Sequence, residues 1–380
     1  MSQYRINDQK GKYFNMTRRN GKIEFFRFIF CMTIIFFHLN LTYFDLEYQI
    51  RENFSFFKHG RIGVEFFFIV TGYLFARSCY QTRESKIPLG KDTIQFVFHK
   101  WFALFPFHVI AFAITFITIV IVRQLSFTES IARLIKGMPN FFLIQRTGIY
   151  AGNIIGVEWY VSVMLLSLFI LYPVCKRNYD VFTRILAPLT GVFLVGYLSE
   201  KYGYLSGASL WDGIISKAQL RGLAEICLGA FAFEVSRFIG RYVFSKFQRF
   251  ILSCIEYGCY LAVLIFTCSQ VGVKYEPYAL YMLAVAVCLS FSGVTYGQNL
   301  FQNRVCLILG KMSLPVYLSQ NAVRLAVEHY CKDTLPVSIQ FLIILVGVFS
   351  LSVIIYVFGN ILGRFFTLFL QNCKNNAKSR

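Results

Sequence analysis

Long apolar stretches, each followed by a short polar connection, run through almost the whole chain. About ten of these stretches contain roughly 20 apolar residues each, which is the length that an α-helix needs to cross a bilayer. The expected spans are residues 23–44, 61–79, 102–122, 155–175, 182–199, 220–239, 250–269, 278–294, 304–327 and 338–362. The pattern therefore predicts an all-α polytopic membrane protein, built as a bundle of about ten transmembrane helices.

The composition agrees with a membrane location. Of the 380 residues, 56% are hydrophobic and 18% aromatic, which is too apolar for an ordinary water-soluble domain. The first span is too long for a signal-peptide core and has no small-residue cleavage site behind it, so we expect it to be retained. We predict a basic cytoplasmic segment at 1–22, a membrane domain at 23–371 and a basic cytoplasmic tail at 372–380.

The formal net charge of +19 comes from basic residues in short connections and not from one continuous stripe. Most of them lie on one side of the expected bundle, which places both termini in the cytoplasm and argues against nucleic-acid binding. The connection from Arg123 to Arg146 is the exception, because it is basic but falls on the outer side; it can instead dip into the interface or line a pocket. The 11 cysteines form no C-x-x-C pair and no Cys/His cluster, so no metal site is expected.

Two ionisable residues, Arg27 and His38, interrupt the first span, where each costs about 3 kcal/mol or more at the bilayer centre. At 100° per residue they share one helix face to within about 20°, at depths that differ by about 16 Å. Glu65 stands near the outer end of the second span, at roughly the depth of His38. A carboxylate beside an imidazole is the arrangement of a general base and its orienting acid. The alternative is a structural pair that holds two helices together.

Further candidate residues lie at the ends of other spans. Glu158, Trp159 and Tyr160 suit sugar binding, or alternatively form an aromatic belt with one interfacial acid. Arg221 and Glu225 are spaced i and i+4, so they are a substrate-binding pair or an intrahelical salt bridge. On the inner side, the basic segment that ends near Lys100 could hold phosphates together with Arg27. The alternative for that segment is plain positive-inside charge.

Five motifs in order resemble the acyltransferase-3 family of integral membrane acyltransferases. The first is an Arg, ten residues and a His, matched by Arg27 and His38. The others are GVEFFFIVTGYL, WYVSVMLLSLFILYPV, RGLAEICLGA and GKMSLPVYLSQN, which start at residues 63, 159, 221 and 310. Two departures stand out. The stretch that commonly reads RRxxRIxP is HKWFALFP here, so Lys100 and Ala103 replace arginines, and Gln320 stands where a histidine is frequent.

The resemblance implies a bacterial inner-membrane enzyme that moves an acetyl group from cytoplasmic acetyl-coenzyme A to a carbohydrate hydroxyl. The acceptor would be a cell-surface polysaccharide or its lipid-linked precursor. In this scheme His38, held by Glu65, is at the reaction centre, and Arg27 and Lys100 face the phosphates of the donor. Direct transfer and transfer through a covalent acyl-enzyme both stay open.

Two rival functions are compatible with the pattern. In a transporter or flippase for a polyprenyl-linked glycan, the charges within the spans would mark a substrate or proton path. That reading predicts repeated or broken helices, and the sequence shows no convincing internal symmetry. The other rival is an unrelated histidine-dependent membrane acyltransferase that acts on lipids or proteins, which would not supply the five motifs in this order.

Overall fold

The computed structural model describes residues 19–43, 56–149, 154–205, 207 and 209–378. In these ranges the chain is almost entirely helical. The α-helices are α1 (Gly21–Tyr43), α2 (Gly63–Gln81), α3 (Leu89–Val122), α4 (Phe127–Phe141), α5 (Trp159–Arg177), α6 (Tyr179–Val181), α7 (Ala187–Tyr202), α8 (Lys217–Ile239), α9 (Lys246–Thr267), α10 (Glu276–Ser292), α11 (Gln298–Phe301), α12 (Arg304–Cys331) and α13 (Val337–Lys378). A π-helix, Phe182–Leu186, joins α6 to α7, and 3-10 turns occur at Gly60–Ile62, Gly156–Glu158 and Val273–Tyr275. Two short strands, β1 (Trp211–Asp212) and β2 (Ile215–Ser216), form an antiparallel hairpin.

Eight helical segments of the described chain are long and apolar enough to cross a membrane. They are Gly21–Asn40, Gly60–Gln81, Leu89–Val122, Gly156–Arg177, Tyr179–Tyr202, Lys246–Thr267, Val273–Ser292 and Val337–Leu368. The other two of the ten expected spans coincide with α8 and α12, which are 23 and 28 residues long but carry more charged residues. The predicted all-α polytopic membrane fold is confirmed.

The start of the third helix was predicted several turns too late. The third span was expected to begin at 102, but α3 begins at Leu89, directly after Pro88. Its polar first turns are anchored by an ion pair of 3.0 Å between Lys176 and Asp92, so the helix continues past its apolar part.

The basic connection after α3 contains the amphipathic helix α4. Ser126 caps this helix by accepting a hydrogen bond from the backbone N–H of Glu129, whose side chain accepts one from the Ser126 backbone in return. Asn140, near the end of α4, is buried. It accepts a hydrogen bond of 2.9 Å from the Ile155 N–H, which ties the end of the connection to α4.

The chain divides into two compact units, one within 1–93 and 166–311 and the other within 94–165 and 312–380. In the first unit, α2 and α8 pack backbone against backbone. A Cβ at Gly72 would overlap the Ile226 carbonyl, and a Cβ at Gly229 would overlap the Ile69 carbonyl. The sequence needs glycine at both positions for this approach, which also brings the charged side chains of the two helices together.

The second unit is held together by aromatic packing between α3, α4 and α13. Phe105 of α3 stacks on Trp101 at 3.9 Å and meets Phe141 of α4 edge to face at 5.5 Å. On the other side of α3, Gly359 of α13 faces Phe107, whose ring leaves no room for a Cβ. The polar centre of this unit is formed by side chains that are buried between these helices.

Candidate functional site

A buried cluster of two acids and one base lies between α2 and α8. Arg221 of α8 contacts Glu65 of α2 through Nη2 and Oε1, and its Nε donates a hydrogen bond of 2.8 Å to Glu225 Oε1. All three residues are at most 3% exposed. We call Glu65, Arg221 and Glu225 the Arg221 cluster. The ion pair between Arg221 and Glu225 that their spacing indicates is confirmed; a role of the two residues in binding substrate stays a prediction.

The hydrogen bonding of the Arg221 cluster is incomplete. Glu65 Oε2 and Glu225 Oε2 are buried and have no hydrogen-bond partner among the residues that the structure describes. With both acids ionised, the cluster carries one more negative than positive charge. A buried carboxylate oxygen without a donor is costly, so such a site can accept a proton, a water or a hydroxyl group of a ligand.

Three further charged residues lie at the same end of these helices. Arg61, just before α2, binds Glu276 at the start of α10 through Nη2 at 2.7 Å and Nε at 3.0 Å. Lys217, at the start of α8, donates a hydrogen bond of 2.8 Å to the Tyr204 carbonyl and lies over the Tyr204 ring. Glu276 also accepts a bond of 2.8 Å from the Leu205 N–H. These contacts fix the starts of three helices around the Arg221 cluster.

His38 lies in α1 and is half-buried, whereas the other four histidines of the chain are either buried or exposed. His59 is 1% exposed and stacks on Phe266, and burial lowers its pKa. His108 is 2% exposed. His99 and His329 lie on the surface of α3 and α12. His38 is thus the one half-buried histidine of the five: two are enclosed, and His99 and His329 are exposed.

The structure gives Glu65 an arginine partner, where the sequence suggested the His38 imidazole. The Glu65 carboxylate contacts Arg221 through one oxygen, and its other oxygen makes no hydrogen bond to a described residue. The pairing of Glu65 with His38 was predicted from inferred depth; the Arg221 contact was not predicted, because Arg221 lies on a helix far along the chain. Catalytic roles for His38 and Glu65 stay predictions.

Arg27 lies on the same helix as His38, one turn after an acid. Its Nη1 donates a hydrogen bond of 3.2 Å to Glu24 Oε1, and its side chain is 23% exposed. Glu24 also pairs with Arg19 at 3.5 Å. Two guanidinium groups therefore share one carboxylate, which leaves net positive charge at this end of α1.

Glu158 makes a contact that the sequence analysis missed. His108 Nδ1 lies 2.7 Å from Glu158 Oε1, and His108 Nε2 lies 2.9 Å from the Phe141 carbonyl oxygen. The carbonyl can only accept, so Nε2 carries a hydrogen and cannot act as a base in this arrangement. His108 could have been singled out, because an ionisable residue within the 102–122 span meets the same criterion as Arg27 and His38.

The remaining candidates of the second unit lie close to Glu158 or on α3. Tyr160 is half-buried and meets the Tyr317 ring edge to face at 5.2 Å. Trp159, also half-buried, is the first residue of α5. Lys100 lies on α3 with its ammonium group 5.4 Å from the Phe96 ring centroid. The structure therefore distributes the predicted site residues over both units.

In the described ranges, no three His, Cys, Asp or Glu residues form a group that could hold a metal ion. The described histidines, carboxylates and arginines can transfer protons and stabilise charge.

The acyltransferase-3 family model, described as an acyltransferase domain, matches residues 20–357. The matched range includes Arg27, His38 and the Arg221 cluster, together with the His108 and Glu158 pair. A search of curated proteins and a search of solved structures found no match.

Proposed function

Because the chain belongs to the acyltransferase-3 family and is a multi-pass membrane acyltransferase, we propose that it is an O-acetyltransferase of a surface glycan. The acyl donor would be cytoplasmic acetyl-coenzyme A. The acceptor would be a hydroxyl group of a cell-surface polysaccharide or of its lipid-linked precursor, in the bacterial inner membrane. Both termini would then face the cytoplasm.

The observation that carries this proposal is the placement of His38. A general base must reach a substrate proton, so it needs an imidazole that is not wholly enclosed. His108 fails this requirement because both of its ring nitrogens contact protein oxygens. His38 meets it, since it is half-buried in a membrane-spanning helix.

In the proposed reaction, His38 takes the proton of the acceptor hydroxyl as its oxygen attacks the acetyl carbonyl carbon. A carbon–oxygen bond forms, the carbon–sulfur bond of the thioester breaks, and the proton passes from His38 to the leaving thiolate. The negative charge of the Arg221 cluster, through Glu65, would favour the imidazolium that forms in this step.

The donor would be held by its phosphates. Arg27 is the candidate on α1, because its guanidinium is partly exposed and shares its acid, Glu24, with Arg19. Lys100 is the candidate on α3. On the acceptor side, we assign sugar contacts to the rings of Trp159 and Tyr160, since the Glu158 carboxylate is buried and bound to His108.

The substitution His38→Ala tests the proposal. Loss of a general base typically costs about 10²–10⁴-fold in rate, so O-acetyl groups should disappear from the extracted glycan in mass spectra. The matched control is His329→Ala, which removes an exposed imidazole and should keep acetylation at the wild-type level. Wild-type acetylation by a His38→Ala protein that elutes intact on size exclusion would contradict the mechanism and favour the transporter.

A further inference from the structure

A groove of about 580 Å³ lies in the second unit, between α3 and α13. The residues of α3 that line it are apolar, and α13 contributes two glycines, Gly359 and Gly363, to its wall. The lining residues are Phe102, Ala103, Pro106, Phe107, Gly359, Asn360, Gly363, Arg364, Thr367 and Leu368. None of the candidate catalytic residues is among them.

The groove opens on a surface that faces lipid in a membrane protein. On α13, the apolar side chains of Ile361, Phe365 and Leu368 are 45%, 66% and 58% exposed. All three belong to the membrane-spanning segment Val337–Leu368. Exposed apolar residues of a membrane-spanning helix contact acyl chains, so the molecules that can enter the groove from this side are membrane lipids.

Arg364 gives the groove its charge. Two other polar residues of the lining are satisfied within α13, because Asn360 donates to the Tyr356 carbonyl at 2.6 Å and Thr367 to the Gly363 carbonyl at 2.8 Å. The Arg364 side chain forms no ion pair with a residue in the described ranges. A guanidinium near the end of a membrane span, beside an apolar channel, matches a phosphate that carries an acyl chain.

We propose that this groove is a binding site for an anionic phospholipid. The Arg364 guanidinium pairs with the lipid phosphate, and one acyl chain lies along Phe102, Pro106 and Phe107. The glycine at 363 keeps the channel open, since the nearest atom to a Cβ there would belong to Pro106 at 3.6 Å and a larger side chain would extend into the groove.

Native mass spectrometry of the detergent-purified, delipidated protein tests the site, with phosphatidylglycerol or phosphatidylcholine as the added probe. We expect tighter binding of the first phosphatidylglycerol molecule than of phosphatidylcholine. Arg364→Gln should weaken phosphatidylglycerol binding about fivefold, the effect expected of one basic residue near an anionic lipid.

Arg304→Gln is the matched control, because Arg304 is an exposed arginine at the start of α12 and does not line the groove. It should leave phosphatidylglycerol binding unchanged. Ala103→Leu, a change at an exposed position on α3, fills the groove while keeping the charge and should also weaken binding. Equal losses in Arg364→Gln and Arg304→Gln, or wild-type binding in both Arg364→Gln and Ala103→Leu, would overturn the proposal.

Discussion

Two buried charge clusters of the first unit are built in opposite ways. Lys22 and Glu256 are both fully buried, and the Lys22 ammonium donates to both Glu256 oxygens, at 3.1 and 2.9 Å, and to Thr295 Oγ1 at 3.0 Å. Ser290 adds a bond of 2.6 Å to Glu256. Each of the three ammonium hydrogens has an acceptor, and the charges cancel. The Arg221 cluster, by contrast, has two acids for one base and two carboxylate oxygens without a donor in the described chain.

We interpret this difference as one between a structural ion pair and a cluster that can still bind a proton or a hydroxyl group. The Lys22 and Glu256 pair connects the start of α1 to α9, and Thr295 links the pair to the chain after α10. All three hydrogens of the Lys22 ammonium are used within the protein. The Arg221 cluster can still accept a proton or a hydrogen bond from a hydroxyl group. Its two buried carboxylate oxygens without a donor lower the stability of the fold, which the fully bonded Lys22 pair avoids. The comparison predicts that substitutions rank by the number of buried charges that they leave uncompensated.

The largest effect is expected for Arg221→Met, which leaves two buried carboxyl groups without a base. Breaking one buried ion pair costs about 3–5 kcal/mol, so the loss of stability here should exceed that value. The loss of stability is measured by thermal unfolding in detergent, monitored by size exclusion. The control is Arg184→Met, because the Arg184 side chain is 56% exposed in its pair with Glu234 and such pairs contribute about 0–1 kcal/mol. Equal melting temperatures for the two variants would contradict the prediction that uncompensated buried charges decide the loss of stability.

The helical spans could be predicted because their length and apolarity are local properties of the sequence. The start of α3 could not, because its polar first turns are held by Lys176 from another helix. The partners of buried charged residues could not be predicted either. Lys22, which the sequence analysis placed in a basic cytoplasmic segment, is buried against Glu256, a residue 234 positions away. Packing of distant helices decides such pairs, and one sequence does not report it.

Predictions within one helix fared better than predictions between helices. The i, i+4 spacing correctly indicated that Arg221 pairs with Glu225, since helix geometry alone brings them together. The depth argument for Glu65 missed Arg221, because depth restricts a residue to a layer of the membrane and leaves its neighbours undetermined. The pairing of Glu158 with His108 was missed for the same reason, since the two residues are 50 positions apart, although His108 itself stands out as an ionisable residue within a predicted span.

An intermediate effect is expected for Lys22→Met, which leaves one uncompensated carboxylate at Glu256. The loss of stability should be about 3–5 kcal/mol, while the acetylation rate per folded molecule stays at the wild-type level. The double variant Lys22→Met with Glu256→Met replaces the pair by apolar side chains and should recover most of the loss, as replaced buried ion pairs often do. Thermal unfolding of the single and double variants decides it; a double variant as unstable as the single one would show that the pair does more than balance charge.

The smallest change in stability is expected for Glu65→Gln, because it leaves no uncompensated charge. Arg221 keeps its bond to Glu225, so the cluster becomes neutral and the loss in unfolding free energy should be smaller than the about 3–5 kcal/mol that an uncompensated buried charge costs. The matched change in the other cluster, Glu256→Gln, leaves the buried Lys22 ammonium without an acid and should cost about 3–5 kcal/mol.

The acetylation activities of these two variants should rank in the opposite order to their stabilities. Glu65→Gln removes the negative charge that favours the His38 imidazolium, so acetylation should fall, by a smaller factor than in His38→Ala, whereas Glu256→Gln should acetylate normally per folded molecule. Measuring unfolding and glycan O-acetylation on the same preparations separates the two clusters, and a Glu65→Gln protein that loses stability but keeps full activity would make the Arg221 cluster a structural element like its counterpart.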